Sequence, residues 1–349
     1  MKRLQRLSSI DGLLTALLAV ACTGISMAQT TAPPPVFPLA PPPPYVTPGT
    51  PQGSGPYRAI MEVDRTLQSH TIYRPSDLAA LRGAKLPIVA FANGACVNIG
   101  NRFRYFLTEI ASHGFLVIAT GPIGPKEAED IASSSALTAL PAPGSPAALK
   151  LGPGVPMAAS PSLPAATTAR QMIDAIDWAI AENGRKGSAY FGRLDTSKVA
   201  VMGQSCGGLQ AIDAAHDPRV TTLGVWNSGT FDLPNRAWEI AAAHASREDV
   251  KTLRVPVLYV TGEPSDVAYP NADADFALID SVPAFRAWRE KTGHPGTYRE
   301  PNGGAFGTVA VAWLKWRLKG DTTAAKMFVG KACDLCTKPE WHVRKKNID

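Results

Sequence analysis

The stretch "KVAVMGQSCGGLQAI" (residues 198–212) decides how the chain is expected to fold. It joins a short apolar strand to a helical sequence through Gly203, Ser205 and Gly207, which fit the pattern G-x-S-x-G. A sharp strand-to-helix turn of this kind strains the serine, and its small flanking residues let neighbouring backbone come close. The following helix directs free N–H groups and its positive dipole end towards the serine. The pattern therefore predicts that Ser205 is a nucleophile; the alternative is a structural glycine turn with a bystander serine.

Apolar strands and helical segments alternate on both sides of this turn. Strands are expected at 57–65, 70–75, 86–94, 115–122, 198–205, 220–229, 255–262 and 282–290. Helices are expected at 101–114, 167–183, from 206 onward, around 235–247 and at 305–320. Such alternation is typical of an α/β fold, in which helices cover both faces of a mostly parallel sheet.

The N-terminal 56 residues are expected to lie outside the folded domain. Residues 1–28 have a basic start, an apolar run and small residues before Gln29, as in a secretion signal cleaved after Ala28. The apolar run is shorter than the about 20 residues of a membrane span, so no transmembrane anchor is expected after cleavage. Residues 29–56 form a proline-rich linker, because proline fixes φ and removes N–H donors. The expected location is secreted or periplasmic.

The remaining residues, 57–349, are predicted to form one domain with two atypical segments. Residues 122–166 are rich in alanine, proline, serine and glycine, which leaves a cap over the site and a flexible insertion as open alternatives. Residues 321–349 are expected to be a C-terminal tail, with the basic run at 344–347 solvated. The formal net charge is +6, without a Lys/Arg stripe interleaved with aromatics, which argues against a nucleic-acid partner.

A serine hydroxyl needs a positioned base to take its proton. In folds with a nucleophile on such a turn, an acid and then a histidine follow the serine along the chain. Four histidines follow Ser205, namely His216, His244, His294 and His342. His294 follows the last expected strand directly, whereas the others lie in helices or in the tail. We therefore expect His294 to be the base, with a surface-loop histidine as the alternative.

The acid is expected just past the strand at 255–262. The sequence "GEPSDVAYP" offers Glu263 and Asp266 there. Asp266 lies four residues beyond Gly262, far enough to turn back towards the imidazole, hold its tautomer and stabilise the imidazolium. Asp232, after the preceding strand, is the alternative carboxylate.

A tetrahedral intermediate also needs N–H donors. The amide of Cys206, directly after the nucleophile, is one expected donor. The second is expected in the loop after "IVAFANGAC", where Ala95 is the best candidate and Cys96 its neighbour. Gly94 would let that loop fold in close.

Four cysteines remain after signal cleavage. Cys333 and Cys336 are expected to form a local disulfide rather than half a zinc site or a redox pair. No second Cys or His pair with zinc-finger spacing accompanies them, and no βαβ context surrounds them. Cys96 and Cys206 both border the expected oxyanion hole. A bridge between them would fasten its two halves, but a sequence cannot fix connectivity.

Trp226, at the end of a strand, is a candidate substrate contact in the wall of an acyl pocket. Core packing is the alternative, since aromatic side chains dominate buried area. The glycine-rich "NGGAFG" (302–307) follows no strand and matches no phosphate-binding loop. Nothing in the sequence indicates a nucleotide or metal cofactor.

The stretch from about residue 57 to 320 resembles an α/β-hydrolase through "FANGAC", "GQSCGG", "GEPSDVAYP" and "AVAWLKWRLKGD". It is most similar to the serine esterase and lipase branch with cutinase-like bacterial polyester hydrolases, dienelactone-hydrolase-like and platelet-activating-factor-acetylhydrolase-like proteins. The resemblance implies that Ser205 is the nucleophile, that Asp266 is the acid and that Ala95 holds an oxyanion position. The chain differs from polyester hydrolases in having alanine instead of an aromatic residue at 95, in a histidine farther from the last helix, and in the 122–166 insertion.

The expected activity is therefore that of a secreted serine hydrolase that cleaves carboxylic esters, small or polymeric, through an acyl-enzyme. Ser205, His294 and Asp266 would form the triad. An acyltransferase with the same triad and a non-catalytic surface-binding module are the alternatives.

Overall fold

The computed structural model describes residues 47–124, 167–231 and 243–349. The expected secretion signal, most of the expected linker, nearly all of the 122–166 insertion, the alternative carboxylate Asp232 and most of the helix expected around 235–247 lie outside the described residues.

One mixed sheet forms the centre of the described chain. Its strands are β1 (Ala59–Glu62), β2 (His70–Pro75), β3 (Leu86–Ala92), β4 (Leu116–Thr120), β5 (Leu194–Gln204), β6 (Val220–Trp226), β7 (Val257–Gly262), β8 (Ala284–Arg289) and β9 (Trp341–Lys346). Their order is β1-β2-β4-β3-β5-β6-β7-β8-β9. The pairs from β4 to β8 are parallel, whereas β1, β2 and β9 pair antiparallel at the two edges. The predicted mostly parallel α/β fold is confirmed.

Helices connect the strands and cover both faces of the sheet. They are α1 (Arg104–Ser112), α2 (Ala169–Gly184), α3 (Cys206–Ala214), α4 (Arg247–Lys251), α5 (Tyr269–Leu278), α6 (Gly304–Lys319) and α7 (Thr322–Ala325), with short 3₁₀ turns at Ala79–Leu81, Gly94–Cys96 and Pro301–Gly303. In this part of the chain, the helices lack the length and apolar character that crossing a bilayer requires.

The core is divided into two layers by the sheet. Along β3, Ile88 and Ala90 belong to the apolar cluster that includes residues of α2, α3 and α5, while Val89 and Phe91 belong to the cluster on the other face, with residues of α1 and α6. Because both faces of the parallel strands are buried, their sequences are continuously apolar rather than alternating. Because these strands run parallel, their carboxyl ends lie at the same edge of the sheet, where the loops can carry polar residues.

The predicted C-terminal tail is folded in the structure. β9 pairs with β8 over six residues, and Lys346 donates to the Asp280 carboxylate at 2.9 Å. The run of basic side chains belongs to an edge strand, where charge opposes pairing with further strands. The expectation that residues 344–347 are a solvated tail is therefore wrong.

The last part of the predicted linker also contacts the domain. Gln52 pairs with Ala59, and the Ser54 N–H donates to a Glu109 carboxylate oxygen at 2.7 Å. The Gly55 N–H donates to the Ser112 hydroxyl at 2.9 Å. Packing against α1 thus begins before the expected boundary at residue 57.

Candidate active site

Ser205 lies at the carboxyl end of the sheet, in the turn between β5 and α3. Its backbone has φ 53° and ψ −122°, which is strained for a residue with a side chain. An ideal Cβ at Gly203 would lie 2.0 Å from the carbonyl oxygen of Gly207. One at Gly207 would lie 2.1 Å from that of Ala92. The close packing of β3, β5 and α3 around the serine therefore requires glycine at both positions.

Three loops bring a hydroxyl, an imidazole and a carboxylate together at this edge. His294, in the loop after β8, has its Nε2 3.0 Å from Ser205 Oγ. Its Nδ1 lies 2.8 Å from Oδ1 of Asp266, in the loop after β7. The side chain of His294 is 21% exposed and that of Asp266 is 0% exposed. The arrangement allows a proton to move between Oγ and Nε2 while the carboxylate orients the ring.

The Asp266 carboxyl is ionised despite its burial. Burial raises its pKa, but the charge and hydrogen bond of His294 lower it, as do hydrogen bonds from Ala268 and Asn227. The net result is a pKa below the ordinary value for aspartate. The ionised Asp266 carboxylate therefore stabilises the fold at pH values above the ordinary pKa of aspartate. This stabilisation is lost as the pH falls through the lowered pKa of Asp266.

The other candidate acids and bases have different partners. His216 Nε2 lies 3.2 Å from the Thr252 hydroxyl, and His342 stacks on Trp288 with 3.7 Å between ring centroids. His244 is exposed. Glu263 accepts the Lys291 N–H at 2.7 Å, which joins the loop after β7, where Asp266 lies, to the loop after β8, where His294 lies.

Two amides suited to an oxyanion lie on segments that meet beside Ser205. Cys206 is the first residue of α3, where a helix leaves its N–H groups without intrahelical acceptors. Ala95 lies in the turn after β3 with φ 55°. Within the described ranges, no backbone acceptor receives its N–H. An ideal Cβ at Gly94 would meet the side-chain oxygen Oε1 of Gln204, so any larger residue at 94 would have to displace the Gln204 side chain.

A disulfide joins these two segments. Cys96 and Cys206 are bonded with a Cα–Cα distance of 5.3 Å, and both are almost completely buried. The carbonyl oxygen of Cys96 also accepts the Thr167 N–H at 2.7 Å, and its Sγ accepts from Gln210 Nε2 at 3.0 Å. The bridge therefore fixes the position of Cys206 relative to the turn that contains Ala95. The second disulfide joins Cys333 and Cys336, with a Cα–Cα distance of 4.9 Å.

We expect the double substitution Cys96→Ser/Cys206→Ser to lower kcat by about 10–100-fold with little change in KM, because the two candidate oxyanion amides would then be held less firmly for the transition state. The measurement is steady-state hydrolysis of p-nitrophenyl acetate by protein whose folding is verified by a melting curve. The matched control, Cys333→Ser/Cys336→Ser, removes the remote disulfide and should retain wild-type kcat. A wild-type kcat in the first variant would contradict this role.

Trp226 is a core residue rather than a pocket wall. Its side chain is completely buried on the face covered by α1 and α6. It packs edge-to-face on Phe106 at 5.2 Å and lies 5.8 Å from Phe306, measured between ring centroids. The predicted substrate contact is therefore not possible without exposing the core. Its strand is buried on both faces, so the sequence carries no alternation from which the direction of the indole could be read.

Sequence reasoning missed polar residues that support the site. Gln204 Nε2 donates to the carbonyl oxygen of His294 at 3.3 Å. The Ser228 hydroxyl donates to the carbonyl oxygen of Ser205 at 2.6 Å. Gln204 occupies the variable position of G-x-S-x-G, and Ser228 follows β6, so no motif marks either residue. Across the described ranges, no group of three or more His, Cys, Asp or Glu is arranged to hold a metal ion.

Comparison with known proteins identifies the family. A family model described as PET hydrolase-like matches residues 160–344, a range that contains Ser205, Asp266 and His294. No curated protein matches the chain. Because the matched range covers more than half of the 349 residues, the chain belongs to the PET hydrolase-like family, a family of α/β-hydrolases that act on esters.

Proposed function

We propose that the chain is an exported serine hydrolase that cleaves carboxylic esters through an acyl-enzyme intermediate. The observation that carries the proposal is the hydrogen-bonded line from Asp266 through His294 to Ser205, with distances of 2.8 and 3.0 Å. Family membership supports an ester as the bond that is cleaved.

In the acylation step, Ser205 Oγ attacks the carbonyl carbon of the ester and His294 Nε2 takes the hydroxyl proton. The carbonyl oxygen becomes an oxyanion, which accepts hydrogen bonds from the amides of Ala95 and Cys206. When the intermediate collapses, the bond to the alcohol oxygen breaks and His294 gives its proton to that oxygen. The products are the free alcohol and an acyl group on Ser205.

In the deacylation step, water attacks the acyl carbon while His294 takes a proton from it. Collapse of the second intermediate releases the carboxylic acid, and the proton on Nε2 returns to Ser205 Oγ. Asp266 keeps the other ring proton on Nδ1 throughout and stabilises the imidazolium that forms in both steps.

Export is supported by the leader-like sequence of residues 1–28 and by the two disulfides, since such bonds persist outside the reducing cytoplasm. The family description supports polyesters such as PET as substrates beside small esters.

The test is labelling with a fluorophosphonate, followed by peptide mapping, together with turnover of p-nitrophenyl esters of increasing acyl length and product release from PET powder. We expect one adduct, on Ser205, and hydrolysis of at least the short esters. An alcohol acceptor added to the assay separates hydrolysis from acyl transfer. Absent turnover combined with an adduct elsewhere or none would overturn the proposal and favour a non-catalytic surface-binding module.

A further inference from the structure

The Asp266 carboxylate accepts four hydrogen bonds, two at each oxygen. Oδ1 accepts from His294 Nδ1 at 2.8 Å and from the Ala268 N–H at 3.0 Å. Oδ2 accepts from the Gly262 N–H at 2.9 Å and from Asn227 Nδ2 at 2.7 Å. Gly262 and Ala268 belong to the same strand end and loop as the acid itself. The other two donors come from other strands: His294 lies in the loop after β8, and Asn227 directly follows β6.

The backbone of Asn227 is held firmly at the end of β6. The residue is completely buried, and its N–H donates to the Val260 carbonyl oxygen of β7 at 2.7 Å. Its φ is 41°, in the left-handed region that asparagine tolerates better than most residues with side chains. The direction in which the side chain leaves the strand is therefore fixed by the sheet.

The orientation of the Asn227 amide is fixed by a second residue. The Tyr298 hydroxyl donates to Asn227 Oδ1 at 2.5 Å. If the amide were rotated by half a turn, its oxygen would face the Asp266 carboxylate and its NH₂ would face the phenol. The hydroxyl therefore favours the one orientation in which Asn227 donates to the acid.

The Tyr298 ring is held by its aromatic neighbours. It packs edge-to-face on Phe103, Phe106 and Phe306, with 5.0, 5.2 and 5.4 Å between ring centroids. Burial raises the pKa of Tyr298 well above its ordinary value, and the Asp266 charge raises it further, so the hydroxyl stays protonated and remains a donor. Phenylalanine at this position would keep the ring contacts and remove only the hydroxyl.

We propose that Asn227 and Tyr298 are positioning residues for the ester hydrolysis proposed above, on which this inference rests. Tyr298 orients the Asn227 amide, and Asn227 donates to Oδ2 of Asp266, which keeps Oδ1 directed at His294. The hydrogen-bonded line thus continues from Ser205 through His294, Asp266 and Asn227 to Tyr298. Neither residue touches the reacting atoms; each acts through the carboxylate.

The experiment compares Tyr298→Phe, Asn227→Gly and the double variant in p-nitrophenyl acetate hydrolysis as a function of pH. Glycine suits the positive φ at 227, so that variant removes the amide without adding backbone strain. We expect kcat to fall about tenfold in Tyr298→Phe and about 10–100-fold in Asn227→Gly, with KM nearly unchanged. The acid limb of the pH profile should move to higher pH in both, because a carboxylate with fewer hydrogen-bond donors is more basic and favours the protonated form of the Asp266–His294 pair.

The double variant tests whether Tyr298 acts through Asn227. If it does, Tyr298→Phe/Asn227→Gly should be as slow as Asn227→Gly alone, since the hydroxyl has no amide left to orient. Two independent structural defects would instead multiply their losses. That result would overturn the proposal.

The matched control is Tyr190→Phe. Tyr190 is also buried and donates to a carboxylate, Glu62 Oε1 at 3.2 Å, but it precedes β5 at the opposite end of that strand from Ser205. Tyr190→Phe should lose about as much thermal stability as Tyr298→Phe and should keep the wild-type kcat and pH profile.

The outcomes distinguish this inference from the proposed function. If the wild-type protein turns over the ester and Tyr298→Phe has the same kcat and pH profile, the positioning role alone is overturned. Absent wild-type turnover would overturn the proposed function and the positioning role with it. A melting curve is recorded for each variant, and if Tyr298→Phe does not fold, the shift of the acid limb in Asn227→Gly decides.

Discussion

Ser205→Ala is expected to lower kcat for p-nitrophenyl acetate by about 10⁵–10⁶-fold, because it removes the nucleophilic oxygen. The backbone should tolerate the change, since alanine keeps the Cβ and meets the same strain at φ 53°. Only the hydrogen bond between Oγ and His294 Nε2 is lost from the folded protein. The remaining rate would come from the oxyanion amides and from His294 acting on water.

The control for this prediction is Ser197→Ala. Ser197 lies near the other end of β5, is exposed and donates to the neighbouring Asp195 carboxylate at 2.6 Å. It should retain the wild-type kcat and the wild-type fluorophosphonate labelling. Turnover by Ser205→Ala above about 1% of the wild-type rate, confirmed with a second preparation, would mean that another nucleophile performs the reaction.

The fold and the strand-to-helix turn at Ser205 were predictable because their signals are local. The apolar run, the glycines and the helix of residues 198–212 lie within fifteen residues of one another, and the alternation of strands and helices repeats along the chain. His294 and Asp266 were predictable from chain order and from their places after β8 and β7. Their distances to Ser205 required the structure, because they depend on how the loops close over the sheet.

Contacts made by long-range packing were not predictable. No sequence pattern links Asn227 with Tyr298, because the two meet only when the loop after β8 folds back onto the end of β6. The pairing of Cys96 with Cys206 has the same origin, in the approach of two strand ends. The basic residues near the C-terminus suggested a solvated tail. Exposed basic residues are common in such tails and in edge strands alike, so the sequence did not distinguish the two.

His294→Ala is expected to lower kcat about as strongly as Ser205→Ala, by about 10⁵–10⁶-fold. Without the base, the Ser205 hydroxyl keeps its proton and remains a poor nucleophile. The variant Ser205→Ala/His294→Ala should therefore be no slower than either single variant, because serine and imidazole act as one unit. His113→Asn is the matched control: His113 also pairs with a carboxylate, Glu109 Oε1 at 3.1 Å, but it lies directly after α1, and its loss should leave kcat unchanged.

Added imidazole should partly restore activity to His294→Ala and give no gain in Ser205→Ala. The His294 side chain is 21% exposed, so the gap left by alanine is open to a small molecule from solvent. An imidazole bound there can take the Ser205 proton, whereas in Ser205→Ala there is no hydroxyl to activate. The measurement is the initial rate of p-nitrophenyl acetate hydrolysis against imidazole concentration, after subtraction of the protein-free rate. Equal gains in both variants would show that imidazole attacks the ester directly, and wild-type turnover by His294→Ala without imidazole would assign the base to another residue.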